Sequence, residues 1–508
     1  MTSRTLRADT LFQSVSVAVI LAIVCRLVGF GRGVLMTRTL SPEELGTWAL
    51  IANAIALLAF ICTLGIPNGL ARYTERFREA GNLGKFFLTA LTRAGALTVL
   101  VCLAGMVFWR STGRLLFDDS TDQTLIWITL GAVAATVLLS LIQGMLQGLR
   151  LFRLNSLVEL AQNFGFLLMA VVLFGMWSGD AEVAAWAILI TTLMTALLIG
   201  WWLIRCIGKP HQGDHPSIAI PAGGYWWPIM AYSLGAWSAG SLQALWRVID
   251  RYMLLHLSSA SGAETLDQIG QYYIASKLGQ PLGALAGVVS MALLPHAAKL
   301  WESKRQGEVT TMVHVSTKLA ILIMTFGGAL LLALKGWIIP LVAGRDAAMT
   351  AAIFAPVLLT VIAVSVHFIL RTYLMCKEQT WRVTAIWVIT LLANGALNVV
   401  LIPHFQLWGA AWATMISGGV AVALTAAQSQ RSGMRVGPRL ILCLTLPCVL
   451  LLPTPAMLAL LMVVALATHF TDWILDSEEK QSINQQVANR FERFSTGRIG
   501  AVLAPRAP

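Results

Sequence analysis

The chain has 508 residues, of which 57% are hydrophobic and 12% charged, and its mean hydropathy is +0.74. A soluble core cannot hide that much apolar surface, so lipid must cover it. In such a chain the net charge of +12 points to basic loops beside a membrane, not to nucleic acid. Its seven cysteines lie in or beside apolar segments with no CxxC pair, which reads as small hydrophobes and not as disulfides or metal ligands.

At the N-terminus Arg4 and Arg7 precede "LFQSVSVAVILAIVC" in the manner of a secretory signal, and Cys25 imitates a lipoprotein cysteine. Val24 stands where cleavage needs a small residue, and the apolar pattern runs on through "RLVGFGRGVL". A retained first helix is therefore expected. Spans of about 20 apolar residues, each able to cross a roughly 30 Å hydrocarbon core, are predicted near 11–38, 46–67, 86–108, 124–148, 156–177, 183–204, 225–254, 268–292, 311–341, 351–374, 381–402 and 407–428. Pro447, Pro453 and Pro455 interrupt the apolar run 440–470, which reads as a hairpin of two further spans. The expected fold class is all-α integral membrane with about fourteen transmembrane helices; twelve plus a re-entrant pair is the alternative.

Alternate loops are basic. Arg72, Arg76, Arg78 and Lys85 follow the second span, Arg150 and Arg153 the fourth, and Arg205 and Lys209 the sixth. Lys299, Lys304 and Arg305 follow the eighth, Lys377 and Arg382 the tenth, and Arg431, Arg435 and Arg439 the twelfth. The intervening loops are poor in positive charge, apart from Arg110 and Arg114, which Asp118, Asp119 and Asp122 offset. The positive-inside rule puts both termini in the cytoplasm of a multi-pass protein in a bacterial inner membrane.

The chain also repeats. "AAWA" at Ala184–Ala187 returns at Ala410–Ala413, and the same shift carries "RYTERFREAGN" onto "HAAKLWESKRQGE" and "RLFRLN" onto "KEQTWR". A slightly shorter shift sets "ELGTWALIA" on "QIGQYYIAS". Two six-helix lobes in parallel pseudo-repeat follow: 1–205, a cytoplasmic linker at 206–224, and 225–430. A C-terminal helical hairpin at 439–473 and a cytoplasmic tail at 474–508 complete the chain. Transporters have this layout, with a site between the lobes near mid-membrane.

Charges inside the spans are the candidate functional residues. The first span carries Arg26 and Arg32. The seventh, "LQALWRVIDRYMLL", carries Arg247, Asp250 and Arg251 on one helical face. A central Arg or Asp costs roughly 2.5–3.5 kcal/mol on the insertion scale, against about 0.3–0.6 returned by a Leu or Ile. Such charges should face protein or water. In the two-lobe layout the first and seventh spans are equivalents, so their arginines would face one another across a cavity. That makes a phosphate trap, because guanidinium forks match phosphate oxygens. Asp250 reads as an orienter, gate or salt-bridge partner of Arg247. Arg251 is open to a second reading, an anchor snorkelling to the interface, as is Lys277 in the eighth span.

Arg93, Lys318 and Arg371 read as interfacial anchors. Glu159, Gln162, Asn163, Asn394 and Asn398 are open to two readings, interhelical hydrogen bonds or cavity lining, and Trp226 and Trp227 as part of an aromatic belt. Nothing resembles a nucleotide loop, a zinc cluster or a catalytic triad, so neither a cofactor, a metal nor a catalytic residue is expected.

The stretch "RLVGFGRGVLMTRTLSPEELGTWAL", with Arg-x-x-Gly-Phe-x-Arg and then Glu-x-Gly, resembles the polysaccharide flippases of the multidrug/oligosaccharidyl-lipid/polysaccharide exporter superfamily. "LLANGALNVVLIPHFQLWGAAWATMISGGVAVAL" is similar to their eleventh and twelfth helices, and "VIDRYMLL", "IGQYYIASKL" and "MALLPHAAKLW" to their seventh and eighth. The resemblance spans about residues 10–430. It implies an alternating-access flippase moving a polyprenyl-pyrophosphate-linked oligosaccharide to the outer leaflet, with the glycan lipid, membrane lipid and a polymerase or glycosyltransferases as partners. It also implies that Arg26 and Arg32 face the central cavity. Gly33 departs from the acidic residue usual in lipid II flippases, which ranks lipid II second. A multidrug exporter and a membrane glycosyltransferase or polymerase follow as further alternatives.

Overall fold

The computed structural model describes residues 11–117, 122–177, 179–207, 226–344, 347–471, 476 and 479–480. Arg4, Arg7, Asp118, Asp119, Lys209, the linker from residue 208 and most of the tail lie outside the described residues. Within them the chain is helical throughout, without a strand.

The helices, in order, are α1 (Leu11–Thr39), α2 (Pro42–Thr63), α3 (Ile66–Glu79), α4 (Leu83–Val107), α5 (Trp109–Leu116) and α6 (Gln123–Gly148). Next come α7 (Phe152–Met176), α8 (Ala181–Ile207), α9 (Trp226–Leu257), α10 (Gly262–Glu302) and α11 (Gln306–Ala333). The last are α12 (Lys335–Ala343), α13 (Ala348–Cys376), α14 (Thr380–Arg431), α15 (Pro438–Thr445), a 3₁₀ turn at Leu446–Leu451, and α16 (Thr454–Phe470). Eight of these helices are long and apolar enough to cross a membrane. The charge-bearing helices α1, α9 and α10 run 29, 32 and 41 residues, long enough to span about 30 Å at 1.5 Å per residue.

Several boundaries differ from the sequence reading. The basic segment after the second span is the helix α3, set off from α2 where Leu64 (φ 45°) and Gly65 (φ 70°) turn left-handed. The ninth span divides at Leu334 into α11 and α12. The eleventh and twelfth spans form one 52-residue helix kinked at Gln406 (φ 49°, ψ −125°), three residues after Pro403. Pro403 lacks the N–H that a continuous ladder needs, and Gln268 Nε2 ties the kink to α10 by donating to Gln406 Oε1 (2.8 Å).

Two equivalent caps start α2 and α10. Ser41 accepts from the Glu44 backbone N–H (3.2 Å), and Ser261 from that of Glu264 (3.4 Å). Each is Ser-x-x-Glu, the start signal in which the serine satisfies an orphan helix donor. Glu44 also accepts from the Ala181 N–H at the start of α8 (2.6 Å). From these caps α2 and α10 pack against each other through Gly46 and Gly270, the positions aligned by the sequence repeat. A Cβ at Gly46 would fall 2.6 Å from the Leu266 carbonyl carbon, and one at Gly270 would strike the Pro42 carbonyl oxygen. On the same end Thr37 donates to the Val342 carbonyl (2.8 Å) and Arg38 Nε to that of Leu341 (3.1 Å), joining α1 to α12.

The opposite end, which carries the basic segments, is closed by aromatic contacts. Trp237 Nε1 donates to the Phe60 carbonyl (2.9 Å) and stacks on its ring at 6.3 Å. Arg72 and Arg93 lie over the rings of Tyr232 and Trp226, at 4.2 and 4.3 Å. Arg93 thus binds the start of α9 and is more than an anchor to lipid.

Lys318 has a different role from the anchor expected of it. It is buried and pairs with Glu479, donating to both carboxylate oxygens (2.9 and 2.8 Å), while Arg439 pairs with Asp476. The start of the tail is thereby clasped to α11 and α15. An uncompensated buried charge costs about 3–5 kcal/mol, so this contact holds the C-terminal helices against the bundle.

Candidate functional site

Three helices bring charge together: α1, α9 and α10. Arg32 on α1 stacks on aromatic faces, its guanidinium carbon 4.3 Å from the Phe166 centroid and 5.9 Å from that of Trp48. Trp48 Nε1 donates to the Tyr273 hydroxyl (3.3 Å), and Lys277 Nζ sits 5.0 Å from the Tyr273 centroid. The Lys277 stem lies across Gly33, where a Cβ would come 3.3 Å from its Cδ. A side chain at position 33 would displace the lysine, so Gly33 and Lys277 act as a unit. Arg251 completes this group. It donates to Ser276 Oγ (3.1 Å) and to the Arg247 carbonyl (3.2 Å), and lies 4.9 Å from the Tyr272 centroid. These contacts tie Arg251 to α10 and to the preceding turn of α9.

Arg26 on α1 and Arg247 on α9 both have solvent-exposed side chains. Arg371 lies 4.2 Å over Phe368, one turn beyond His367. The latter bonds Thr425 Oγ1 (2.7 Å) and packs edge-on against Trp387, which touches Trp246 beside Arg247. Among the described residues none of Arg26, Arg32, Arg247, Arg251, Arg371 and Lys277 has a salt-bridge partner.

Asp250 points elsewhere. It is buried, and its carboxylate accepts from the Arg251 N–H (2.9 Å), from Thr414 Oγ1 (3.1 Å) and from Tyr272. Beyond Thr414 the network continues: Asn394 donates to Ser417 (3.3 Å), Asn398 to Asn394 (3.1 Å), and Trp246 to Ser417 (3.0 Å). Asn394 thus joins the two halves of α14, Asn398 bonds Asn394 one turn away, and Asp250 and Trp246 tie α9 to the second half. One carboxylate, amide carbonyls and a hydroxyl are oxygen donors of the kind hard cations take. Among the described residues no cluster of three His, Cys, Asp or Glu residues suits a transition metal.

The arrangement therefore separates roles: the cations pack against aromatic rings and hydroxyls, while the buried carboxylate of Asp250 bonds Thr414 on α14. Unpaired guanidiniums and an ammonium flanked by aromatic rings are suited to a polyanionic group, above all phosphate.

Comparison with known proteins places the fold and the family. The chain is similar to a solved structure of the lipid II flippase MurJ in an inward closed conformation, with a TM-score of 0.66, 16% identity, and coverage of 94% of this chain and 99% of that one. It is also similar to an inward-facing multidrug resistance MATE family transporter of the MOP superfamily (TM-score 0.64, 12% identity, 83% and 99% covered). A MATE structure in complex with MaD3S gives a TM-score of 0.58 at 15% identity, covering 85% and 98%. The fold is that of the MOP exporter superfamily, whose matching members are transporters and flippases. The family model for polysaccharide biosynthesis proteins matches residues 11–301, and the chain belongs to that family. The model for lipid II flippase MurJ matches residues 260–480. A search of curated proteins finds no significant match.

Proposed function

We propose that this protein carries a polyprenyl-pyrophosphate-linked oligosaccharide from the cytoplasmic to the outer leaflet of a bacterial inner membrane, for surface polysaccharide assembly, by alternating access. The observation that carries this reading is the set of cations on the packed helices α1, α9 and α10, none of which has a salt-bridge partner among the described residues. The end bearing Arg72, Arg150 and Arg431 is cytoplasmic in this account, by the excess of basic residues there. The diphosphate is held by Arg26, Arg32, Arg247, Arg251 and Lys277, the sugars occupy hydrated space, and the prenyl tail stays in lipid. Asp250 orients α9 through Thr414 and Tyr272 and is not an anion ligand.

A lipid II flippase is the second reading, favoured by the MurJ family match over residues 260–480. Both cargoes present a diphosphate, so the cations serve either. Deleting the gene should abolish surface glycan if the first reading holds, and block cell-wall growth if the second does. Arg26→Ala and Arg247→Ala, correctly inserted, should fail to restore glycan export, since a charge-assisted hydrogen bond is worth about 1.5–3 kcal/mol. Full restoration by both variants would remove these residues from the site. Heightened sensitivity to cationic drugs with intact glycans would instead indicate an exporter.

A further inference from the structure

The contacts around Trp48 join the candidate site to the glycine-packed end. Trp48 on α2 is fully buried and stacks on Phe166 of α7 at 5.6 Å. Its Nε1 donates to the hydroxyl of Tyr273 on α10 (3.3 Å), a residue only 7% exposed. Trp48 lies two residues past Gly46 and Tyr273 three past Gly270, so this bond sits about 3–5 Å along from the close approach, at 1.5 Å per residue. A cation lies on each of the bonded rings: Arg32 is 5.9 Å from the Trp48 centroid and Lys277 5.0 Å from that of Tyr273. The two belong to different halves of the repeat. Arg32 is tied to α2 and α7 through Trp48 and Phe166, whereas Lys277 is carried by α10, to which Ser276 also binds Arg251. Besides the glycine approach itself, three contacts here cross between the halves: the Trp48–Tyr273 bond, the Lys277 stem against Gly33, and the Tyr252 hydroxyl of α9, which donates to the Leu50 carbonyl (3.2 Å).

We infer that the Trp48–Tyr273 hydrogen bond couples closure of the glycine-packed end to occupancy of the diphosphate site, with Tyr273 as a positioning residue. The coupling rests on the proposed reading of the cargo and adds to it a cause of release. While α2 and α10 touch, Arg32 and Lys277 are held on one hydrogen-bonded pair of rings, with Arg251 fastened beside Lys277. Like charges so gathered repel one another, and a bound diphosphate offsets that repulsion. The anion therefore favours the closed end, and by linkage the closed end favours the anion to the same extent. When α2 leaves α10 the Trp48–Tyr273 bond breaks, Lys277 leaves Gly33, and the cations divide between the two halves. Neither half keeps the full set, so opening this end weakens the hold on the diphosphate as it gains an exit. With the basic end cytoplasmic, that exit is on the outer side, the direction the proposed function requires.

The test is the distance between spin labels at Glu43 and Ala263, exposed near the two caps, in the purified full chain in lipid nanodiscs. It is measured with and without inorganic pyrophosphate, beside titration calorimetry with the same anion. Pyrophosphate is expected to shift the parent toward the short distance. Tyr273→Phe keeps the ring beside Lys277 but leaves Trp48 Nε1 without its acceptor. It should lengthen the distance and weaken pyrophosphate binding roughly tenfold, and saturating pyrophosphate should restore the short distance. A residue that only stabilised the fold would show no such rescue. Lys277→Gln, which leaves the Trp48–Tyr273 bond in place, should weaken binding yet keep the short distance without the anion. A parent that binds pyrophosphate with no change in distance, or a Tyr273→Phe variant that binds it as the parent does, would overturn the coupling while leaving the flippase reading standing. If Tyr273→Phe does not fold, the response of the parent decides alone. No pyrophosphate binding by the intact protein would overturn both.

Discussion

Replacing Gly46 by alanine is expected to destabilise the protein and prevent closure of the end at which α2 and α10 meet. In an ordinary helix interior the same change would stabilise by up to about 1 kcal/mol, because alanine is the better helix former. Here the sign reverses. The new Cβ would fall 2.6 Å from the Leu266 carbonyl carbon, and Gly270 faces the Pro42 backbone in the same way. Backbone cannot rotate aside as a side chain can, so the helices must part or the turn must strain, at about 1–3 kcal/mol for overpacking of this kind. Spin labels at Glu43 and Ala263, exposed near the two caps, should report a longer distance in Gly46→Ala than in the parent, with glycan export reduced. An unchanged distance with normal export would show that the close approach is not needed for the transport cycle.

Asp250→Ala is expected to have an effect of comparable size by a different route. The carboxylate accepts hydrogen bonds from the Arg251 N–H, Thr414 and Tyr272, and the residue is only 1% exposed. Each buried donor left without an acceptor costs about 1–3 kcal/mol. Asp250→Asn keeps one acceptor oxygen and the shape of the side chain. A large fall in melting temperature for the alanine variant, with the asparagine variant close to the parent, is the expected pattern. Equal loss in both would mean that the negative charge itself, and not the hydrogen bonding, holds α9 against the kinked α14. If both kept the parent's stability, the network would not be structural at all.

Much of this was legible in the sequence, for identifiable reasons. Charges in α1 and α9 stand out because lipid penalises them, which makes Arg26, Arg32 and Arg247 candidates without any structure. The repeat of "ELGTWALIA" on "QIGQYYIAS" picked out Gly46 and Gly270 as equivalents, though not that the two would touch. What stayed hidden depended on partners far along the chain. Lys318 looks like an interfacial anchor because nothing local marks Glu479, 161 residues away, as its counter-ion. The kink at Gln406 was read as a loop between two spans, since Pro403 signals a break but not that the helix resumes almost at once. Asp250 was paired with Arg247 by helical spacing, and the structure gives it instead to Thr414 and Tyr272, whose positions on other helices no periodicity reveals.

The most direct test of the account is transbilayer movement by the purified protein. Proteoliposomes carrying a fluorescent polyprenyl-pyrophosphate-linked oligosaccharide would be treated with a membrane-impermeant glycosidase, and the fraction of glycan cleaved followed over time. If the cations of α1 and α9 carry the diphosphate across, the intact protein exposes most of the glycan. Liposomes holding Arg26→Ala or Arg247→Ala would then stay near the half that is accessible in protein-free vesicles. Glycan exposure by the intact protein no greater than in protein-free vesicles, or undiminished exposure by the arginine variants, would contradict it.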